Sequence, residues 1–185
     1  MKPAGNGGGG IFPGVAYIPH APRENAIAGA PSLADNLLVR HLRRLPGVIK
    51  LSATPDHVPD RLRTRVDDLK VHPARLELPA GGLSGGNLQK LVIARELAHE
   101  AETIIAVYPA MGLDPATQEL VHDALRDAAA AGKAVLLVHE DLETLTQCCD
   151  RILVVSEYRV AGEFSRADAN AHQMLHLMTG GKHAA

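Results

Sequence analysis

Tryptophan is absent from the chain, and phenylalanine and tyrosine number only two and three. So few rings leave little for stacking on nucleic-acid bases. An excess of charge of one sign is missing too: 19 basic side chains stand against 21 acidic ones, and no basic footprint for nucleic acid is expected. No apolar run approaches the ~18 residues that a membrane-crossing helix needs. The first fourteen residues are glycine-rich, carry Pro3 and Pro13, and lack the apolar stretch of a secretory leader. They read as a flexible or weakly ordered segment. The two cysteines, Cys148 and Cys149, are adjacent, which is poor geometry for a bridge. A reducing, cytoplasmic compartment is expected, with both thiols serving as small apolar groups. Of ten histidines, only His172 and His176 share a helical face, and no third ligand accompanies them, so no metal site is expected.

What is present follows a clear order. Val15–Ile18 predicts a short strand stopped by Pro19. Ser32 and Asp35 open a helix whose apolar stripe is Leu33, Leu37, Leu38, Leu42 and Leu45, ended by Pro46-Gly47. Arg40, Arg43 and Arg44 are placed on its solvated side. A charged helix is expected from Pro59 to Lys70, and another after Gly86 that packs inward on one side. Beyond it the pattern alternates as βαβ units do. Strands are expected at Thr103–Val107 and Ala134–Val138, and helices at Thr117–Ala131, closed by Gly132, and at Leu142–Gln147. Two short strands, Ile152–Val155 and Arg159–Ala161, precede a final helix from Ser165 to Met178. Asp141 is expected to cap the helix after it rather than to join His139 and Glu140 in acid/base chemistry.

The most informative run is Leu83-Ser84-Gly85-Gly86-Asn87-Leu88-Gln89-Lys90. Its small residues let backbone come close to a phosphate, and the helix that begins there aims N–H groups and a positive dipole end at an anion. This run resembles the signature loop of ATP-binding cassette ATPases. Further segments resemble the same family in the same order. Gly14–Pro19 is similar to the strand entering the Q-loop, and Ser32–Leu37 to the helical subdomain that follows it. Ala94-Arg95-Glu96-Leu97 is similar to the signature helix, and Gly112-Leu113-Asp114 to the D-loop. Gly132–Leu137 leads toward the switch histidine, and Asp150-Arg151-Ile152 is similar to the strand after it. Together they resemble the second nucleotide-binding domain of sugar- and nucleoside-type importers.

The departures from that pattern fall on the chemistry. The sequence holds no G-x-x-x-x-G-K-[ST] phosphate loop. By the resemblance, Val107 stands at the Walker B aspartate, Tyr108 at the catalytic glutamate, His20 at the Q-loop glutamine and Glu140 at the switch histidine. An aliphatic side chain cannot hold Mg²⁺ through water, and a neutral phenol is a poor base. Tyr158 replaces the usual glycine of the last hairpin turn, which costs stability if that turn demands a positive φ.

The resemblance implies an α/β fold: an incomplete P-loop NTPase (RecA-like) cassette core with a parallel sheet and an inserted helical subdomain. Residues 1–14 form the N-terminal segment and 15–185 a truncated nucleotide-binding domain, with the helical subdomain at about 20–97. The function it implies is an ATP-binding component of an importer of sugars or nucleosides, itself catalytically degenerate. Leu83, Ser84, Gly85, Gly86, Asn87, Gln89 and Asp114 would contact ATP bound by a partner, in trans, with Mg²⁺ supplied at the partner's site. The implied partners are another cassette ATPase domain and membrane permease subunits, at the inner face of the cell membrane. In that setting the Arg40 group would rim the docking surface for a membrane subunit. Two other readings are a non-enzymatic interaction module and a decayed fragment of such an ATPase.

Overall fold

The computed structural model describes residues 14–40 and 54–180. They fall into two compact units, one up to Leu136 and one from Leu137, each with its own core. The first unit opens with β1 (Val15–Ile18), whose run of apolar and aromatic residues stops at Pro19 as expected. Helix α1 (Pro22–Asn25) is a single turn that the sequence reading missed. Helix α2 (Leu33–Leu38) is fixed at its start by a reciprocal cap. The Asp35 N–H donates to Ser32 Oγ at 3.1 Å, and the Ser32 N–H donates to Asp35 Oδ2 at 3.1 Å. Asn36 then clasps the loop before it, exchanging hydrogen bonds of 2.9 Å with the Ala28 backbone in both directions. The expected continuation through Leu42, Arg43, Arg44 and Leu45 lies outside the described residues.

Helix α3 (Asp60–Asp68) buries Leu62 and Val66 and exposes its charges, as its pattern predicts. Helix α4 (Gly85–Leu97) departs from expectation. It packs against α1, α2, α3, α5 and β1 and is buried on all sides from Leu88 to Leu97, except at the half-buried Lys90. Gln89, Arg95 and Glu96 are therefore interior groups, although one apolar side was expected. Strand β2 (Thr103–Val107), helix α5 (Pro115–Ala130) and strand β3 (Ala134–Val138) follow, with β3 spanning the boundary at Leu136. Pro115 occupies the first turn of α5, where a missing N–H costs nothing. Gly132, at φ +90°, turns the chain out of that helix. The sheet order is β1-β2-β3, and β1 pairs parallel to β2 with Tyr17 beside Ile105.

Arg40 is a correction to the sequence reading. It is not solvated: its side chain is buried, Nη2 donates to Val15 O at 2.7 Å, and the same nitrogen lies 2.6 Å from Glu96 Oε2. Glu96 also accepts from Arg95 Nε at 2.9 Å and from the Tyr17 N–H at 3.1 Å. Arg95 in turn donates to Ala26 O and Asn36 O. One carboxylate thus ties α2, α4 and β1 together. Burial pulls the Arg95 guanidinium below its ordinary pKa, against the opposing pull of Glu96.

In the second unit, α6 (Leu142–Cys148) precedes an antiparallel hairpin of β4 (Arg151–Ser156) and β5 (Arg159–Ser165), then α7 (Ala171–Met178). Ile152, Val154, Phe164, Met174 and Leu177 form the core, with Cys149 packed against it. Burial raises the Cys149 thiol pKa, which keeps it a protonated apolar group. Strand β5 runs four residues past the expected Ala161, because Phe164 must reach the core from an extended backbone. The last helix accordingly starts at Ala171 instead of Ser165, capped by Asn170, which accepts from the Gln173 N–H at 3.2 Å. Glu157 and Tyr158 join the strands at φ +50° and +61°. That is the left-handed region, which a side chain bearing Cβ occupies at a cost of about 1–2 kcal/mol. Tyr158 is fully exposed and packs on nothing that would repay it. Tyr158→Gly is expected to stabilise the chain by about 0.5–1 kcal/mol after the added unfolded-state entropy is subtracted. A urea midpoint that fails to rise would contradict this.

Candidate functional site

Ser84 caps α4 from an extended backbone (φ −63°, ψ 158°). Its hydroxyl accepts from the Asn87 N–H at 3.4 Å and from Asn87 Nδ2 at 3.1 Å. Asn87 Oδ1 in turn accepts the His72 N–H at 2.8 Å, so the start of α4 is braced by the segment that leads into it. Arg23 Nη2 donates to Leu83 O at 3.1 Å, while the Leu83 side chain is buried and anchors the loop from below. Ser84 and Gly85 are exposed. The N–H groups of Gly85 and Gly86 open the helix and have no helical acceptor behind them.

The glycines divide by cause. A Cβ on Gly81 would lie 3.0 Å from Gly29 O, in a tight backbone crossing where the Gly81 N–H donates to that oxygen at 2.8 Å. A Cβ on Gly86 would lie 3.3 Å from Leu113 Cδ2, against the loop that carries Asp114. A Cβ on Gly85 would meet nothing within 4 Å. Packing within this chain therefore asks for glycine at 81 and not at 85. Gly81→Ala is expected to lose about 1 kcal/mol of stability. Gly85→Ala is expected to lose none, since alanine is the better helix former. Thermal melts of the two variants check this, and equal losses would contradict it.

Asp114 is the N-cap of α5. It accepts from the Thr117 N–H at 3.0 Å and the Thr117 hydroxyl at 2.6 Å. The Thr117 hydroxyl, then the Thr117 N–H, hold its carboxyl below the ordinary carboxylate range, and Lys90 adds to this. Gln89 is buried, and its Nε2 donates to Pro19 O at 3.1 Å and Pro109 O at 2.9 Å. It ties α4 to the chain just beyond β1 and just beyond β2. In a parallel sheet those are the strand ends where ligand loops gather. His20, just after Pro19, and Tyr108, just before Pro109, meet edge-on, with ring centroids 6.4 Å apart. Tyr108 takes φ +45°, an unusual value for a side chain of its size. Val107 ends β2 and is half-buried. Neither Val107 nor Tyr108 offers a carboxylate, so this strand end does not fit a magnesium ion.

Within the first unit the structure brings together the Leu83–Asn87 loop, Gln89, the loop carrying Asp114, and the His20 and Tyr108 pair. Glu140 belongs to the second unit and is exposed. Beside it, His139 Nδ1 accepts the Asp141 N–H at 3.0 Å. Asp141 caps α6, accepting the Thr144 N–H at 2.9 Å and the Thr144 hydroxyl at 2.5 Å. The Thr144 hydroxyl is the main reason its pKa is lowered. Asp141 is engaged as a cap, as expected. The group that sequence reasoning missed is Glu96 with Arg40 and Arg95, whose only signal was an Arg-Glu pair at the end of an otherwise apolar helix.

No family model matches the chain. Over 180 residues, 95% of its length, it is 32% identical to ribose import ATP-binding protein RbsA 1 of Rhizobium etli. Over 165 residues, 89% of its length, it is 32% identical to arabinose import ATP-binding protein AraG 2 of Burkholderia ambifaria. The chain is a homologue of sugar-import ATP-binding proteins. It spans about a third of these relatives, 34% and 31% of their lengths. Among solved structures, an ATP-binding subunit of an ABC transporter superposes with a TM-score of 0.71 at 20% identity, over 90% of this chain and 68% of that one. The dimeric ATP-binding cassette MJ0796, bound to ADP and Pi, gives 0.68 at 20% identity, over 82% of this chain and 62% of that one. The α/β architecture with its parallel sheet is the fold of ATP-binding cassette ATPases. Among the described residues, no helix is long and apolar enough to cross a membrane.

Proposed function

We propose that this cassette segment serves an importer of sugars or nucleosides by presenting Ser84, Gly85 and Gly86 to ATP held by a second cassette ATPase domain. The observation that carries the reading is the exposed start of α4, where Gly85 faces open space that this chain's own packing does not require. Relatives named as ribose and arabinose import ATP-binding proteins supply the substrate class. ATP, when bound, brings the anionic triphosphate and the phosphoryl group to be transferred. This chain's part is to place preorganised N–H donors and a helix N-terminus beside that charge, a contribution that needs no proton transfer. Ser84 holds the first turn in shape, Leu83 anchors it, and Gly86 lets it rest on Leu113. Asp114, kept ionised by Thr117, fixes the neighbouring loop at the same surface. The partner ATPase domain and the membrane permease are the assembly in which such a surface acts, at the cytoplasmic face of the membrane.

Residues Val107, Tyr108 and Glu140 supply neither a metal-holding carboxylate beyond β2 nor an imidazole at the switch position. The chain by itself is therefore expected to release phosphate from Mg-ATP at the background rate. Turnover above background that disappears in Glu140→Ala or Asp141→Ala would overturn this and assign acid/base work to the start of α6.

A further inference from the structure

Three buried charges meet where α2, α4 and β1 join, and they do not balance. The Arg40 and Arg95 side chains are 4% and 7% exposed, and Glu96 between them is 3% exposed. A guanidinium does not shed its proton in a protein, so burial cannot neutralise either arginine as it can a lysine. One carboxylate therefore faces two fixed cations. All 21 aspartate and glutamate side chains of the chain lie among the described residues, and the one paired with Arg40 is Glu96. The other buried carboxylate, Asp35, is taken up at the Ser32 cap. Burial first, and the Arg40 charge after it, pull the Arg95 pKa down against Glu96.

The hydrogen bonds are as uneven as the charges. Arg95 is well served: Nε donates to Glu96, and Nη1 donates to Ala26 O at 3.0 Å and Asn36 O at 3.2 Å. Arg40 engages only Nη2, with Val15 O and Glu96 Oε2. Its Nε and Nη1 are buried and have no hydrogen-bond partner among the described residues. Water accepts such bonds but leaves the charge standing, whereas an anion answers both deficits. We infer that Arg40 Nε and Nη1 mark a binding site for a small inorganic monoanion of the chloride class at the junction of α2, α4 and β1. One negative charge completes the balance. A dianion such as sulfate or phosphate overshoots it and is far harder to bury, since the cost of desolvation grows with the square of the charge. A carboxylate gains its advantage from a two-pronged grip. Both two-pronged edges of a guanidinium that are built from N–H groups include Nη2, which is already engaged, so the site favours a spherical ion.

The test uses the full chain in urea at constant ionic strength, with chloride exchanged for gluconate, an anion too large for such a site. As chloride replaces gluconate, the unfolding equilibrium constant is expected to fall along a one-site curve. The fall should be roughly tenfold when chloride stands at ten times its dissociation constant. Chlorine-35 magnetic resonance of the folded chain should show a broadened chloride line. Arg40→Met leaves Arg95 and Glu96 as a balanced pair, and is expected to lose both the chloride response and the broadening. Should that variant not fold, crystals of the unaltered chain soaked in bromide decide the matter. An anomalous peak within hydrogen-bond reach of Arg40 Nε or Nη1 is expected, and a map without it would overturn the inference. Identical unfolding curves in chloride and gluconate would overturn it too, as would a chloride response that Arg40→Met retains in full. No nucleotide and no partner chain enter these measurements, so their outcome is independent of whether Ser84 and Gly85 meet ATP.

Discussion

Glu96→Ala is expected to destabilise the chain by about 3–5 kcal/mol, the range for breaking a buried ion pair by removing one partner. Glu96 is only 2% exposed and serves three donors at once: Arg40 Nη2, Arg95 Nε and the Tyr17 N–H. Its loss would leave two buried guanidinium groups without a counter-charge. Among the described residues, Nε and Nη1 of Arg40 have no hydrogen-bond partner, so Glu96 and the Val15 carbonyl, both at Nη2, are what compensates its burial within the chain. A domain of this size is held together by about 5–15 kcal/mol in total, and such a loss takes a large share of it. Glu96→Gln keeps the shape and loses the charge, and is expected to fall between alanine and the unaltered chain. Urea unfolding followed by circular dichroism measures all three. A loss below about 1 kcal/mol for Glu96→Ala would mean that the network is not what joins α2, α4 and β1.

That network also marks where reading the sequence stopped working. Strands β1, β2 and β3 were legible because short apolar runs ended at Pro19, Pro109 and a charged turn. The cap at Ser32 and Asp35 was legible because its spacing is local. Arg40 was misread because helical periodicity assigns it to a polar side, whereas the partner that buries it is 56 positions away, on another helix. The same distance hid the role of Gln89, which joins the ends of two strands through Pro19 and Pro109. The late start of α7 was illegible because Phe164 gains more by reaching the second core from a strand than local helix propensity offers. At the candidate site, the residue types and their order were readable from Leu83 to Gln89. What the sequence could not separate is which glycines serve this chain's folding and which leave room for something else. Distances did so, assigning Gly81 to Gly29 and leaving Gly85 unopposed.

Ser84→Arg should remove the chain's effect on a partner while sparing its fold. Ser84 is exposed, and its hydroxyl accepts from the Asn87 N–H at 3.4 Å and from Asn87 Nδ2 at 3.1 Å, so losing it as a cap costs on the order of 1 kcal/mol. The new side chain, by contrast, would fill the space in which N–H groups must approach a triphosphate. Removing one such preorganised donor typically slows chemistry by about 10²–10³-fold. Glu140→Ala, at an exposed position in the other unit, should change little. The deciding measurement is the ATPase rate of intact Rhizobium etli RbsA 1, alone and mixed with the unaltered chain or with Ser84→Arg. The predicted result is a rate changed by the unaltered chain and returned to the RbsA 1 baseline by Ser84→Arg, with both chains melting within a few degrees of each other. Equal rates in the two mixtures would contradict the proposal that Ser84, Gly85 and Gly86 act on ATP held by a partner.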